Sequence, residues 1–92
     1  MRNRWLFSPG TIACTPAALA VIRKHDVKLV RLLNRHLHGD WGSVPADDAK
    51  ENNFARGKHL RILSSYPVAD DAIWILTEAD RSVTTFLLPS DY

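Results

Sequence analysis

The chain has 92 residues, 46% of them apolar and 24% charged, with a formal net charge of +2 and one cysteine. That length fits one domain with a modest core, and the composition is that of an ordinary soluble globular protein. A lone Cys14 excludes an internal disulfide and a cysteine-rich zinc site, and a charge of +2 is too small to imply a nucleic-acid partner.

The charge is unevenly spread. Residues 1–46 hold seven Lys/Arg against two acids (+5), and residues 47–92 hold five against eight (−3). Such polarity steers a charged partner or merely decorates a solvated surface. Arg2 and Arg4 precede an apolar run of only Trp5-Leu6-Phe7, far shorter than a secretory segment, and no stretch approaches the length of a membrane span. With one cysteine, this suits a reducing cytoplasm, away from membranes.

Residues 1–10 read as an irregular arm punctuated by Ser8-Pro9-Gly10, with Trp5 and Phe7 tying it to the body. Thr11–Cys14 is a short β-branched stretch able to add a strand at a sheet edge. Thr15-Pro16 predicts a helix start, with Thr as N-cap and Pro in the first turn, and the helix runs to about Lys24. Asp26 is expected to cap a second helix ending at His38. There Val30, Leu33 and Leu37, widened by Leu29 and Val27, form the expected buried stripe, and Lys28, Arg31 and Arg35 the outer face. Gly39 is its stop. A third helix is expected over Ala46–Arg56, with Asp47 and Asp48 in its first turn and Ala49, Phe54 and Ala55 as anchors.

Strands follow. His59–Tyr66 is the first, and Pro67–Asp71 turns the chain into AIWILTEADRSVTTFLLP (Ala72–Pro89), two β-branched and aromatic runs joined by a polar break. The expected fold is α+β. Two to three N-terminal helices pack on one face of a three- to four-stranded antiparallel sheet that ends in a C-terminal β-meander. The whole of 1–92 forms a single domain, mainly helical over 11–57 and antiparallel strands over 58–89. Both faces of the last hairpin are apolar near its middle, so the second sheet face is expected to lie under the N-terminal arm or a partner chain.

Several residues invite chemistry. His36, His38 and Asp40 lie at a helix end, where a metal or general acid/base is conceivable. Residues two apart on a helix point about 200° apart, however, so the two imidazoles share one ion only if the helix ends between them. Trp41 between two glycines either stacks on a base or peptide or plugs the end of the helical layer. Thr77, Glu78, Asp80, Arg81, Ser82 and Thr84 cluster with Arg61, Ser64, Ser65 and Tyr66 at one end of the meander. An arginine, a carboxylate, hydroxyls and a tyrosine on one surface suit phosphodiester cleavage. Equally, pairs such as Arg61 with Glu78 merely solubilise an exposed face. Cys14 at a helix start has either a lowered thiol pKa or the role of a small buried residue.

The motifs SPGTIACTPAAL (8–19), RHLHGDWG (35–42), RILSSY (61–66) and WILTEADRSVTTFLLP (74–89) resemble a widespread family of small uncharacterised bacterial proteins. Members are often found on plasmids and other mobile elements, and some carry a label as a type I restriction-modification subunit. The resemblance covers nearly the whole chain. The methyltransferase chemistry that the label implies has no residues here: the chain is too short and lacks both a glycine-rich cofactor loop and an Asn-Pro-Pro-Tyr type motif. The layout, helices before an antiparallel sheet, is also similar to compact bacterial toxin ribonucleases of the barnase, colicin and RelE kind. That similarity implies His36 or Glu78 as base, Arg61 and Arg81 on phosphate, and Thr84 or Tyr66 orienting it.

The expected function is a small protein-interaction module of a mobile-element accessory or anti-defence type, without catalysis, cofactor or metal. Its expected binding surface is Arg61, Tyr66, Glu78, Asp80, Arg81, Thr84 and Trp41, and its partner another protein, with the chain itself a monomer or weak homodimer. The alternative is a small metal-independent ribonuclease using Glu78, Arg61, Arg81, Thr84, Tyr66 and His36. A third reading, DNA binding through Lys24, Lys28, Arg31 and Arg35, is opposed by the acidic C-terminal half.

Overall fold

The computed structural model describes residues 4–92; the first part of the expected arm, with Arg2, lies outside the described residues. Strand β1 (Thr11–Cys14) leads into α1 (Pro16–Lys24), α2 (Leu29–Leu37) and α3 (Ala46–Ala55). Then come β2 (Ile62–Val68), β3 (Asp71–Thr77), β4 (Val83–Leu87) and a closing 3-10 turn, Pro89–Asp91. The fold is α+β, with three helices and a four-stranded sheet ordered β1-β4-β3-β2 among the described residues.

The three C-terminal strands form the expected meander: Ile62 pairs with Thr77, and Thr77 with Thr84. β1 joins it in parallel, Thr11 beside Val83 and Cys14 beside Phe86, so the sheet is mixed rather than wholly antiparallel. β2 starts three residues later than expected and runs on through Pro67 to Val68. Proline is tolerated there because β2 is an edge strand. The β2–β3 turn needs only Ala69 and Asp70, with Ala69 at φ 53°.

Alternation sorts the sheet into two faces. Ile62, Ser64, Tyr66, Ile73, Ile75, Thr77, Thr84 and Phe86 point under the helices, all at 1% exposure or less. Tyr66, Ile73, Ile75 and Phe86 meet Ala18, Ile22 and Leu32 in one cluster, and Ile62 meets Phe7, Leu37, Trp41 and Ala55 in a second. Thr15 caps α1 as its sequence requires, its hydroxyl accepting from the Ala18 N–H at 3.1 Å and donating to Asp91 at 2.7 Å.

Two helices present different faces from those expected. α2 begins at Leu29 after Lys28, because Asp26 sits at φ 49° and does not cap it. Its buried side is Leu32, His36 and Leu37, with Leu29 and Leu33 packed alongside, while Val30 is 73% exposed. In α3 the buried residues are Asn52 and Ala55, and Phe54 is left 63% exposed.

The described part of the N-terminal arm, residues 4–10, lies on the helix side, not over the second sheet face. The Leu6 N–H donates to the Leu37 carbonyl at 2.9 Å, and the Phe7 ring stands edge-on to His36 at 5.3 Å. The far face, with Trp74, Leu76 and Leu87, is touched instead by the C-terminal turn, where Tyr92 meets Trp74 at 5.7 Å between ring centroids.

The free edge of β2 is blocked along its length. The Asn52 amide donates to the Leu63 carbonyl at 2.7 Å and accepts from the Leu63 N–H at 3.2 Å, as a neighbouring strand would. The Ser65 N–H donates to the Trp41 carbonyl, and the Ser43 N–H to the Ser65 carbonyl. Gly42 allows this approach: at φ 74°, a Cβ there would collide with the Ser65 carbonyl. Pro67, next along the edge, has no N–H to leave open.

Candidate functional site

The expected polar constellation is divided by the sheet itself. His36, Ser64, Thr77 and Thr84 fall on the inner face at zero exposure and form one row. Ser64 Oγ lies 2.5 Å from His36 Nδ1, His36 Nε2 lies 2.8 Å from Thr77 Oγ1, and Thr77 Oγ1 lies 2.7 Å from Thr84 Oγ1. The row ends where the Thr84 hydroxyl donates to the Pro9 carbonyl at 2.8 Å. That last bond orders the protons as far as His36. A carbonyl only accepts, so Thr84 spends its proton there and must accept from Thr77, which in turn accepts from His36 Nε2–H. His36 Nε2 therefore carries a proton, and in the neutral imidazole the bare Nδ1 accepts from Ser64. Among the described residues no buried side-chain polar atom is left without a partner.

A serine hydroxyl on an imidazole is the geometry of an activated nucleophile. Two features deny this pair that chemistry. Both side chains have zero exposure, so no substrate carbonyl or phosphorus can approach Ser64. Burial, assisted by the positive charge of Arg81, also lowers the His36 pKa to about 3, too low to take a proton at neutral pH. His38, two residues on, points the other way and is exposed, with Nδ1 2.7 Å from the Asn34 carbonyl oxygen.

The remaining expected site residues are largely occupied in holding the fold. Arg81, at φ 61°, donates to the carbonyls of Leu60, Glu78, Ala79, Ala55 and Lys58 at 2.6–3.4 Å. It thus ties the chain leaving α3 to the β3–β4 turn. Asp80 shapes the same turn by accepting from the Ser82 N–H at 2.9 Å; the Ser82 hydroxyl and then this N–H hold its carboxyl below the usual range. Trp41 is 4% exposed, stacks on Phe7 and donates to Asn53 at 3.0 Å, so it is the plug rather than a free stacking platform. Tyr66, 1% exposed, donates to the Asp40 carbonyl at 2.7 Å, and burial pushes its pKa up to about 12. The Cys14 thiol is raised by burial and by Asp91, the reverse of an activated thiol. Of the basic row, Lys28 pairs with Asp26 at 3.5 Å, and Arg35 grips Asp40 at 2.6 Å while lying 4.5 Å over the Tyr66 ring.

Only Arg61 and Glu78 remain together on the surface, 3.0 Å apart on the outer face, with the Tyr92 hydroxyl 3.4 Å from Arg61. Beside this pair opens a cleft of about 510 Å³ lined by Lys50, Glu51, Phe54, Ala55, Leu60 and Arg61. A smaller one of about 220 Å³ shares Glu51 and Arg61 and reaches Val44 and Leu63. The larger cleft follows from the helix rotation: Asn52 and Ala55 turn inward to the sheet edge, which leaves Lys50 and Phe54, one turn apart, looking out. Phe54 at 63% and Leu60 at 48% exposure give it an apolar floor, with Lys50, Glu51 and Arg61 as a charged rim. The sequence placed Phe54 in the core. The missed signal was Asn52, whose amide suits a strand edge better than water.

Compared with known proteins, the chain matches no protein-family model, and no curated protein and no solved structure matches it.

Proposed function

We propose that this protein is a binding module whose cleft between α3 and the start of β2 receives a large apolar side chain from a segment of a partner protein. The observation that carries this reading is the exposure of Phe54 and Leu60 along the cleft of about 510 Å³, where covering what remains exposed of these side chains is worth up to about 1.5–3 kcal/mol each. A charged rim around an apolar floor is the usual anatomy of a protein–protein contact. The sequence resemblance adds the biological setting, an accessory or anti-defence protein of a mobile element. A ribonuclease would have to work with Arg61, Glu78 and Tyr92 alone, because His36, Tyr66 and Thr84 are buried and Arg81 is committed to five carbonyls.

The test is selection of a random peptide library on the immobilised protein. Peptides with a large apolar anchor should emerge, and Phe54→Asp should abolish their binding while leaving the fold intact. Selected peptides that bind Phe54→Asp as well as the parent protein would refute the cleft as the site. Incubation with total RNA in EDTA should leave the RNA intact; cleavage lost in both Arg61→Ala and Glu78→Ala would establish the ribonuclease instead.

A further inference from the structure

The two edges of the sheet are finished in opposite ways. β2 is sealed by Asn52, by the Trp41–Ser43 segment and by Pro67. β1, the other edge, has no such cover among the described residues. The Thr11 and Thr15 N–H groups donate to Ser82 and Phe86 on β4, and bonding direction alternates along a strand. The N–H and C=O groups of Ile12 and Cys14 therefore point away from the sheet. Native edges are guarded by being very short or by a charge, a proline, a bulge or a covering segment. Thr11-Ile12-Ala13-Cys14 has only its shortness, with no charge, proline or bulge within it, and Ile12 stands 41% exposed on the helix side.

We infer that β1 pairs with β1 of a second copy of this chain, antiparallel about a two-fold axis through Ala13, joining two four-stranded sheets into one. The occupant follows from the edge itself. Ile12 and Cys14 are the two outward-bonding residues, and turning the strand over sets each Ile12 opposite Cys14 of the second copy, so all four free peptide groups of each strand are satisfied at once. No charge on the strand opposes a like charge across the axis, and Ile12 gains a neighbour for its exposed side. The strand is only four residues long, so the contact falls short of the roughly 800 Å² per partner of a standard interface. The dimer is accordingly reversible.

The register makes a specific demand on cross-linking. Ala13 faces itself across the axis in a non-hydrogen-bonded pair, with Cα atoms about 4.5 Å apart, within disulfide range. The two Cys14 Cα atoms are offset to roughly 8 Å, outside it. Sedimentation equilibrium of the full chain should show a mass rising with concentration from 10.4 kDa towards twice that value. Ile12→Lys should weaken association at least ten-fold while leaving the circular-dichroism spectrum unchanged. Under mild oxidation, Ala13→Cys in a Cys14→Ser background should form a disulfide-linked dimer, and the parent protein should not. A monomer at every concentration overturns the inference. So does a dimer whose Ala13→Cys variant links no faster than a Phe54→Cys control, because the contact then lies elsewhere. If Ile12→Lys does not fold, the cross-link decides.

Discussion

Two regions of this protein reverse the usual placement of polar and apolar side chains. Beneath the helices, His36 and the hydroxyls of Ser64, Thr77 and Thr84 have zero exposure, while beside α3 Phe54 and Leu60 are 63% and 48% exposed. The first reversal is complete within the chain: each hydroxyl and each ring nitrogen meets a partner, and the row ends on a backbone carbonyl. The second is incomplete: among the described residues Phe54 is left 63% exposed, with a lysine 5.6 Å from its ring. A polar group that is buried and satisfied helps define a fold; exposed apolar groups that cluster are the kind of surface on which a binding proposal rests. The row has the geometry of a catalytic array but is buried architecture, whereas the cleft is the surface on which the proposed binding rests.

The contrast breaks first, and by the largest margin, at His36. His36→Ala removes a buried ring that touches Phe7 and Trp41 and leaves Ser64 and Thr77 with one bond fewer. Cavity and unsatisfied hydroxyls together should cost about 3–5 kcal/mol. At 4–8 °C per kcal/mol for a domain of this size, the melting midpoint should fall by more than about 12 °C. A fall of a degree or two would mean that the row contributes little and that its burial needs another explanation.

Acid should act on the same residue. The folded-state pKa of His36 is lowered from 6.5 to about 3, so between those values the unfolded chain binds the extra proton. Stability is then fully present above about pH 6.5 and is lost as the pH falls, by up to about 1.4 kcal/mol per unit. Asp40, held low by Arg35, contributes in the same direction only below its ordinary value of 3.8. The interval from pH 4 to 6.5 therefore belongs to His36 within this pair of groups. Urea midpoints measured across it should slope for the parent protein and flatten for His36→Gln.

Arg81 comes next. Arg81→Met keeps the stem near Phe7 but strips five carbonyls of their donor, and the change should cost about 2 kcal/mol in denaturant unfolding. The effect should be local as well, with amide exchange accelerating at residues 55–60 and 78–82 before the rest of the sheet. Uniform acceleration would show that the clamp serves the whole fold rather than the junction.

The order of elements and the meander could be read from the chain because β-branched and aromatic runs, Thr15-Pro16 and the Gly39 stop are local signals. The helix faces could not. In α2, Val30-Leu33-Leu37 and Leu29-Leu32-Leu33-Leu37 are both acceptable stripes, and only the second places His36 inward. Its partners Ser64 and Thr77 lie 28 and 41 residues away in sequence, so no local pattern announces that a histidine there is satisfied. The same holds for Asn52, whose partner is the edge of a strand 11 residues on. Once His36 and Asn52 are placed by long-range bonds, the inward Tyr66 and Thr84, the exposed Val30 and the exposed Phe54 follow. The expected site failed as a unit because alternation along β2, β3 and β4 sends Arg61 and Glu78 to one face and Tyr66, Thr77 and Thr84 to the other.

The smallest expected change in stability is also the one that separates the two regions most cleanly. Phe54→Ala deletes a large aromatic, a substitution that costs about 3–5 kcal/mol in a core. At 63% exposure, with its helix held by Asn52 and Ala55, Phe54 should behave as a surface residue and change stability by no more than about 0.5 kcal/mol. Alanine's better helix propensity even favours a slight gain. Binding of an apolar peptide should nevertheless fall at least ten-fold, because the floor of the cleft is gone. Asn52→Ala, two residues earlier, should do the opposite: it unpairs both backbone groups of Leu63, lowers stability by about 1–3 kcal/mol, and affects binding only as far as it loosens α3. A substantial loss of stability in Phe54→Ala would place that ring in the core after all and remove the cleft from consideration.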